Sequence, residues 1–271
     1  MGSPELDRYL HRIAYTGPLA PTLETLNGIV QHHVRSIPFE NLDPFLGTPN
    51  RLDLPSLRAK LVDRRRGGYC FEQNLLLADV LTELGYSLER LAARVLWGVT
   101  DGEVRPRTHM LLLVDVEGDR RVVDVGFGGM TLTGTLTLEP GVEQPTPLEP
   151  FRLTRLGDEY VQEVLVSGEW RQVYRFDLHG QHPVDYVPTN WYLSTHPESH
   201  FVTGLVAARA TEDRRYALLG RRLTVHPRDG ESTRRFLESP AELRAALEGD
   251  FGIDTSGMDL DGAFTRLPHP R

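Results

Sequence analysis

The chain has 271 residues, with 38 acidic and 30 basic side chains, and its formal net charge is −8 with the histidines neutral. This acidic balance disfavours nucleic-acid binding as the main function, because phosphate backbones are bound by basic surfaces. The ordinary shares of hydrophobic (39%) and charged (25%) residues exclude a disordered or fibrous chain.

The apolar runs and the cysteine count bear on the compartment. The longest unbroken apolar run, residues 110–114, is far shorter than the roughly 20 residues that span a bilayer, and residues 1–12 lack the apolar stretch of a signal peptide. Cys70 is the only cysteine, so no intramolecular disulfide can form, which is typical of a reducing compartment. We therefore expect a cytoplasmic protein with no membrane and no nucleic-acid partner.

The first third of the chain has the periodicity of amphipathic helices. A helix is predicted to begin at about Cys70 and to end at Gly85, where a glycine typically follows the last turn. The predicted helix at residues 22–34 ends before Pro38, because the residue preceding a proline avoids helical angles. The earlier helices are predicted at residues 5–12, 22–34 and 54–62.

After Gly85 the pattern changes to short strands separated by glycine and aspartate turns, which predicts an antiparallel barrel or sandwich. The predicted strands are 91–97, 108–116, 121–127, 151–156, 159–166 and 170–176, followed by strands near 201–210 and 221–225. Residues 177–200 are rich in proline and histidine and read as irregular. A last helix is predicted after Ser239 as N-cap, with Glu242 three residues later and Gly249 beyond its end.

Cys70 is a candidate nucleophile because of its position. A helix N-terminus carries a partial positive charge that favours a thiolate, and Arg64, Arg65 and Arg66 add positive potential nearby. The alternative is a buried cysteine of no chemical function behind a tight turn.

A nucleophilic cysteine needs a base, and the base needs an orienting group. His109 and Asp124 lie in consecutive predicted strands, and a two-residue turn at Gly118-Asp119 places them on one face of the hairpin. That turn leaves them four residues out of register, and a slip of the turn by one residue halves this offset. A bulge is a further way to bring them together.

Residues 66–74 read Arg-Gly-Gly-Tyr-Cys-Phe-Glu-Gln-Asn and resemble the RGGxCxExN signature of the arylamine N-acetyltransferase family. Further segments match the family in the same order along the chain. They are Ile-Pro-Phe-Glu-Asn-Leu at 37–42, Thr-His at 108–109, Asp-Val-Gly-Phe-Gly at 124–128 and Asn-Trp-Tyr-Leu-Ser-Thr at 190–195.

The resemblance implies an α+β fold with an N-terminal helical bundle, a central antiparallel β-barrel and a C-terminal α/β lid, in a papain-like arrangement. We expect a helical domain over residues 1–85 that carries the nucleophile, a barrel domain over residues 86–190 that carries the histidine and aspartate, and the lid over residues 191–271.

The resemblance also implies a catalytic triad of Cys70, His109 and Asp124. An acetyl group would pass from acetyl-CoA to the cysteine and then to the nitrogen of an arylamine, arylhydrazine or N-hydroxyarylamine, which is a ping-pong mechanism. Acetyl-CoA would be a co-substrate, with no permanently bound cofactor and no metal. The expected partners are acetyl-CoA and a small aromatic amine or hydrazine, and the chain would be a monomer or a homodimer.

By the same resemblance, two sets of residues line the site. The positions near the pantetheine arm of CoA are Thr108, Gly126, Phe127 and Gly128. The positions around the amine are Phe39, Tyr69, Val95, Phe127 and Phe201. Glu40 and Arg66 are expected to form an ion pair that ties the loop after Pro38 to the cysteine turn.

Other functions use the same residues or different ones. The triad would also serve an amide synthase that acts on a carrier-protein thioester, or a papain-like thiol hydrolase. A metal-binding protein is suggested by the four-residue spacing of His196 and His200. However, Pro197 lies between them and Glu198 is not adjacent to the first histidine as in HExxH.

Overall fold

The computed structural model describes residues 2–99 and 103–268. Within them the α-helices are α1 (Pro4–Arg12), α2 (Leu23–Ser36), α3 (Leu42–Phe45), α4 (Leu54–Leu57), α5 (Cys70–Glu83), α6 (Val187–Thr195), α7 (His200–Thr203), α8 (Pro240–Ala245) and α9 (Leu260–Arg266). A 3-10 helix (Pro183–Tyr186) precedes α6, and π-helical turns extend α4 (Arg58–Asp63) and α8 (Ala246–Asp250). No helix in these ranges is long and apolar enough to cross a bilayer.

The strands form two sheets. They are β1 (Phe39–Glu40), β2 (Ser87–Val95), β3 (His109–Val116), β4 (Asp119–Val123), β5 (Leu136–Thr137), β6 (Glu143–Gln144), β7 (Phe151–Leu156), β8 (Glu159–Val166), β9 (Glu169–Phe176), β10 (Val206–Ala210), β11 (Arg214–Leu219), β12 (Arg222–Pro227) and β13 (Thr233–Phe236).

Eight of these strands form a nearly closed antiparallel barrel with the order β5-β4-β3-β2-β9-β8-β7-β6. Its two edges meet through one side chain: Gln144 accepts hydrogen bonds from the N–H (2.7 Å) and hydroxyl (2.8 Å) of Thr137, and its amide donates to the Thr137 carbonyl (3.0 Å). Apolar side chains fill the interior, as a barrel of this size requires. Among them are Leu91, Leu111, Leu113, Val122, Phe151, Val164 and Val173.

A second sheet joins the two ends of the chain. Its order is β1-β10-β11-β12-β13, and its apolar face packs with α8 and α9 around Leu218, Leu223 and Phe251. Phe39 in β1 pairs with Ala208 in β10. The predicted α+β architecture of bundle, barrel and C-terminal lid is confirmed, while the domain boundaries at residues 85 and 190 stay a prediction. Helix α6 runs across the second of these positions.

Several predicted elements were wrong in detail. The irregular segment 177–200 contains α6, and the beginning of the predicted strand 201–210 is helical in α7. Gly249 lies inside the π-helical turn that extends α8, not beyond its end. The predicted helix 54–62 has only one turn of α-helix before it becomes π-helical.

The hairpin turn between β3 and β4 is one residue earlier than Gly118-Asp119. Val116 pairs with Asp119, so the two turn residues are Glu117 (φ 54°) and Gly118 (φ 88°). Positive φ at both positions is what a type I′ hairpin turn needs. The earlier turn removes half of the predicted offset between His109 and Asp124, and the β3–β4 ladder is regular without a bulge.

Candidate active site

Cys70 is the first residue of α5, and only 4% of its surface is exposed. The preceding N–H, that of Tyr69, donates to the carboxylate of Glu72 (3.0 Å), which fixes the start of the helix. The thiol lies 3.6 Å from the carbonyl oxygen of Thr108, the residue before β3. The helix start and the barrel strand therefore meet at the sulfur.

His109 and Asp124 complete a buried row of three polar side chains. His109 Nε2 lies 2.7 Å from Asp124 Oδ2, and both side chains are almost inaccessible to water. Cys70 lies close enough to the imidazole to help raise its pKa. The structure thus brings the three predicted triad residues together.

Asn74 joins the helix to the barrel beside this row. It lies one helical turn after Cys70, so both side chains share one face of α5. Its amide nitrogen donates to the carbonyl of Met110 (2.8 Å) and to Asp124 Oδ1 (3.0 Å), and its oxygen accepts the N–H of Val125 (3.2 Å). Asn74 was identified in the sequence only as the last residue of the family signature. Its position four residues after Cys70 is the signal that places both side chains on one face of the helix.

Tyr174, in β9, packs on the other side of the histidine. Its ring centroid lies 4.9 Å from that of His109, and burial together with the nearby Asp124 carboxylate raises the pKa of its hydroxyl well above the usual value. The same hydroxyl donates to Gln162 Oε1 (2.7 Å). Sequence reasoning missed Tyr174, because every second residue of β9 faces the barrel interior and nothing local distinguishes this one.

The electrostatics favour a charged pair. Burial alone lowers the pKa of His109, but the Asp124 carboxylate and then Cys70 outweigh it and raise this pKa from 6.5 to about 10. Burial raises the pKa of Asp124, but the imidazolium, Asn74 and the N–H of Gly126 (2.9 Å) together hold it below its usual value. The imidazole is therefore protonated near neutral pH, as a thiolate partner requires.

Buried charged side chains form ion pairs around the turn at residues 64–69, which leads into Cys70. Glu40 Oε1 accepts two hydrogen bonds from Arg66 (3.0 and 2.7 Å), which confirms the predicted ion pair. Lys60 bridges Glu72 (2.7 Å) and Asp43 (2.8 Å). Burial raises the pKa of Glu72 to about 7, although the Lys60 ammonium opposes this shift. Lys60 and Asp43 were not predicted from the sequence, because tertiary packing determines their partners.

The predicted amine-pocket residues fall into two groups. The Phe201 ring lies 5.9 Å from Phe39 and 5.5 Å from Tyr69. Phe127 instead packs edge-on against His109, with ring centroids 5.2 Å apart. Val95, which is partly buried, pairs with Tyr174 at the end of β2.

Two of the predicted CoA positions, Thr108 and Gly126, lie beside Cys70, and the two glycines have packing reasons of their own. A Cβ atom at Gly126 would lie 2.7 Å from the Cα of Cys70, so the close approach is to α5. Gly128 has a φ of 95°, which other residues rarely adopt, and a Cβ there would lie 3.3 Å from the Phe39 ring. Thr108 contributes the carbonyl that faces the thiol.

The histidines considered as metal ligands have other contacts. His196 stacks on Tyr192, with ring centroids 4.7 Å apart, and His200 packs against Phe201 at 3.9 Å. Among residues 2–99 and 103–268, no group of three or more histidine, cysteine, aspartate or glutamate side chains is placed to hold a metal ion.

Comparison with known proteins identifies the family. The sequence model of a family described as N-acetyltransferase matches residues 22–259. The arylamine N-acetyltransferase of Mycolicibacterium smegmatis is 50% identical over 258 residues, which is 94% of each chain. That of Escherichia coli is 38% identical over 264 residues, 97% of this chain and 93% of the relative. The chain belongs to the arylamine N-acetyltransferase family.

A solved structure extends this result to the fold. The arylamine N-acetyltransferase of Mycobacterium marinum in complex with CoA superposes with a TM-score of 0.93 at 43% identity, and the match covers 97% of this chain and 100% of that one. The bundle, barrel and lid described above are thus the architecture of an arylamine N-acetyltransferase.

Gly126→Ala should displace the nucleophile. The added methyl group would meet the Cα of Cys70 at 2.7 Å, so α5 or the loop after β4 must move. Overpacking of this kind costs about 1–3 kcal/mol, and a displacement near 1 Å costs about 10²-fold in rate. The measurements are the urea midpoint and kcat/KM for acetyl transfer.

The matched control for this change is Gly129→Ala. A Cβ atom at Gly129 meets nothing within 4 Å, so stability and activity should stay close to wild type. Equal behaviour of the two variants would contradict the packing argument.

Asp124→Asn should flatten the dependence of stability on alkaline pH. Because the pKa of His109 is raised from 6.5 to about 10, the charged imidazole contributes stability that is complete below pH 6.5 and is lost as the pH rises toward 10. Without the carboxylate this contribution disappears. Urea unfolding of both proteins between pH 6.5 and 10 measures it, and parallel profiles would argue against the His109–Asp124 pair.

Proposed function

We propose that the chain transfers the acetyl group of acetyl-CoA to the nitrogen of arylamines, arylhydrazines or N-hydroxyarylamines through an acetyl-cysteine intermediate. The observation that carries the proposal is the buried row of Cys70, His109 and Asp124 at the start of α5, with the imidazole hydrogen-bonded to Asp124 and its pKa raised further by Cys70. Membership of the arylamine N-acetyltransferase family supports the donor and the acceptor class.

In the first half-reaction Cys70 accepts the acetyl group. The thiolate attacks the thioester carbonyl, and the carbon–sulfur bond to CoA breaks as the new thioester forms. The imidazolium of His109 gives its proton to the departing CoA sulfur. Asp124 holds the ring in one orientation and stabilises its charged form.

In the second half-reaction the amine takes the acetyl group. The neutral His109 accepts a proton from the attacking nitrogen, the carbon–sulfur bond to Cys70 breaks, and the thiolate returns beside the imidazolium. The first exchange is between two thioesters and is nearly balanced, whereas the amide product is more stable. CoA leaves before the amine reacts, which gives ping-pong kinetics.

The residues around the sulfur bind the two substrates in this proposal. Thr108, Gly126, Phe127 and Gly128 contact the pantetheine arm. Phe39, Tyr69, Val95, Phe127 and Phe201 surround the aromatic acceptor. Their rings offer faces for stacking and keep water away from the acetyl-cysteine, whose hydrolysis would waste the donor.

The expected location in the cell and the expected oligomeric state come only from the sequence. A cytoplasmic location and a monomeric or homodimeric state stay predictions.

Cys70→Ala should abolish acetyl transfer, and Cys70→Ser should leave almost none, because a hydroxyl is a far weaker nucleophile than a thiolate. Mass spectrometry of the wild type after mixing with acetyl-CoA alone should show one added acetyl group, located by peptide mapping at Cys70. Circular dichroism of both variants controls for folding. Transfer that persists in folded Cys70→Ala would refute the mechanism.

The same preparation defines the acceptor. A panel of aryl amines and aryl hydrazines should release the acetyl group as amide or hydrazide, at rates above acetyl-CoA hydrolysis. Peptide cleavage and transfer from a carrier-protein thioester are assayed in parallel. Faster hydrolysis or cleavage than transfer would favour the thiol hydrolase, and a preference for the carrier-protein donor would favour the amide synthase.

A further inference from the structure

Tyr69, the residue before the nucleophile, is held at its main chain and at the far end of its side chain. Its N–H donates to Glu72 Oε2 (3.0 Å), and its hydroxyl donates to the side-chain oxygen of Asn190 in α6. The residue is fully buried. These two hydrogen bonds therefore fix both ends of the ring, and the mechanism above gives Asn190 no role.

Asn190 is oriented by a second hydrogen bond that does not involve Tyr69. Its side-chain nitrogen donates to the main-chain carbonyl of Asn50 (2.9 Å), and the side chain is buried. An asparagine amide donates through its nitrogen and accepts through its oxygen. The bond to Asn50 therefore turns the oxygen of Asn190 toward the Tyr69 hydroxyl.

Asn50 closes a circuit of hydrogen bonds that begins and ends at Tyr69. Its side-chain nitrogen donates to Glu72 Oε2 (2.9 Å), the same oxygen that accepts the N–H of Tyr69. The circuit joins the loop before α4, the start of α5, and α6, although Asn50 and Asn190 are 140 positions apart. It therefore fixes the Tyr69 ring relative to α6 as well as to α5.

The ring held in this way packs against other aromatic rings. Its centroid lies 5.8 Å from that of Phe71, edge-on, and 5.5 Å from that of Phe201. Phe201 is fixed in turn by Asn41, whose side-chain nitrogen donates to the carbonyls of Phe201 and Gly204 (2.7 Å each). A buried asparagine thus holds each ring of the Tyr69–Phe201 pair.

We propose that Asn190 is a positioning residue that sets the selectivity for aromatic acceptors. It acts through Tyr69, whose ring it holds at a fixed distance from Phe201. The energy of aromatic stacking depends on the distance and offset of the rings, so a ring free to shift stabilises a flat acceptor less. The role rests on the proposed function, because it concerns the acceptor half of that reaction.

The donor half of the reaction does not depend on the Tyr69 hydroxyl. The main chain before Cys70 has its own hydrogen bonds: Glu72 accepts the N–H of Tyr69, and the N–H of Gly68 donates to the carbonyl of Pro38 (3.2 Å). Loss of the hydroxyl leaves these bonds in place. In a ping-pong reaction kcat/KM for each substrate reports its own half-reaction, so the two halves can be measured separately.

The experiment measures kcat/KM for phenylhydrazine, hydrazine and acetyl-CoA in the wild type, Tyr69→Phe and Asn190→Leu. The two hydrazines offer the same NH₂ nitrogen with and without an aromatic ring, and leucine keeps the branched shape of asparagine without its polar atoms. In both variants the ratio of kcat/KM for phenylhydrazine to that for hydrazine should fall about fivefold, the loss of one stacking contact. The value for acetyl-CoA should stay within about twofold of wild type.

The double variant Tyr69→Phe/Asn190→Leu tests whether the two residues act through one bond. Each single change already removes that bond, so the ratio in the double variant should fall about as far as in either single variant. A fall equal to the product of the two single effects would show that the residues act separately, and would contradict the positioning role of Asn190.

Tyr86→Phe is the matched control. Tyr86 is a buried tyrosine beyond the other end of α5, and its hydroxyl donates to the main-chain carbonyl of Thr22 (2.7 Å). Its loss should lower the urea midpoint as Tyr69→Phe does, while the ratio for the two hydrazines stays at the wild-type value. An equal fall of the ratio in Tyr86→Phe would assign the effect to lost stability and overturn the proposal.

Failure of the positioning role is distinguishable from failure of the proposed function. A wild type that acetylates neither hydrazine would overturn the proposed function and the role of Asn190 with it. An active wild type whose ratio is kept in Tyr69→Phe and Asn190→Leu would overturn the role of Asn190 alone. So would an equal fall of kcat/KM for acetyl-CoA and phenylhydrazine, because it would indicate a displaced Cys70.

Discussion

Asp124 is a carboxylate with no access to water, and it stays ionised because donors from three parts of the fold converge on it. The barrel supplies His109, the first turns of α5 supply Asn74, and the loop after β4 supplies the N–H of Gly126. A buried charge without such partners would be neutralised or would destabilise the fold. The hydrogen bonds to Asp124 therefore fix the position of α5 against the barrel. The position of the Cys70 sulfur follows from that of the helix.

A second set of buried charged groups fixes the other side of the first turn of α5. Glu72 accepts from the main chain of Tyr69, from Lys60 and from Asn50 (2.9 Å), and so connects the turn to two more segments. Arg66 and Glu40 connect it to β1. The nucleophile is thus held between two networks of buried polar side chains.

Local signals in the sequence were enough for elements whose limits are set by their own residues. Strands 151–156 and 159–166 were predicted to the residue, because alternation and the Gly157-Asp158 turn determine them. Helix α6 was missed because its sequence is rich in residues that disfavour helices; Asn190 is held by Tyr69 and by the carbonyl of Asn50 (2.9 Å). Strand β13 was not predicted, because two of its four residues are arginines and all of its side chains are exposed. The triad was named from motifs, whereas the roles of Asn74 and Tyr174 depend on partners that only the folded chain brings near.

The pairing of β1 with the C-terminal sheet has a consequence for the order of events during synthesis. Asn41, just after β1, donates to the carbonyl of Phe201, a contact between residues 160 positions apart. Phe39 and Phe201 meet in the same place. Since contacts of such long range form late, a growing chain carries its cysteine for almost half of translation, from Cys70 to Phe201, before the aromatic wall beside it can close. The half-made protein is therefore the form in which the thiol is most open to unwanted chemistry.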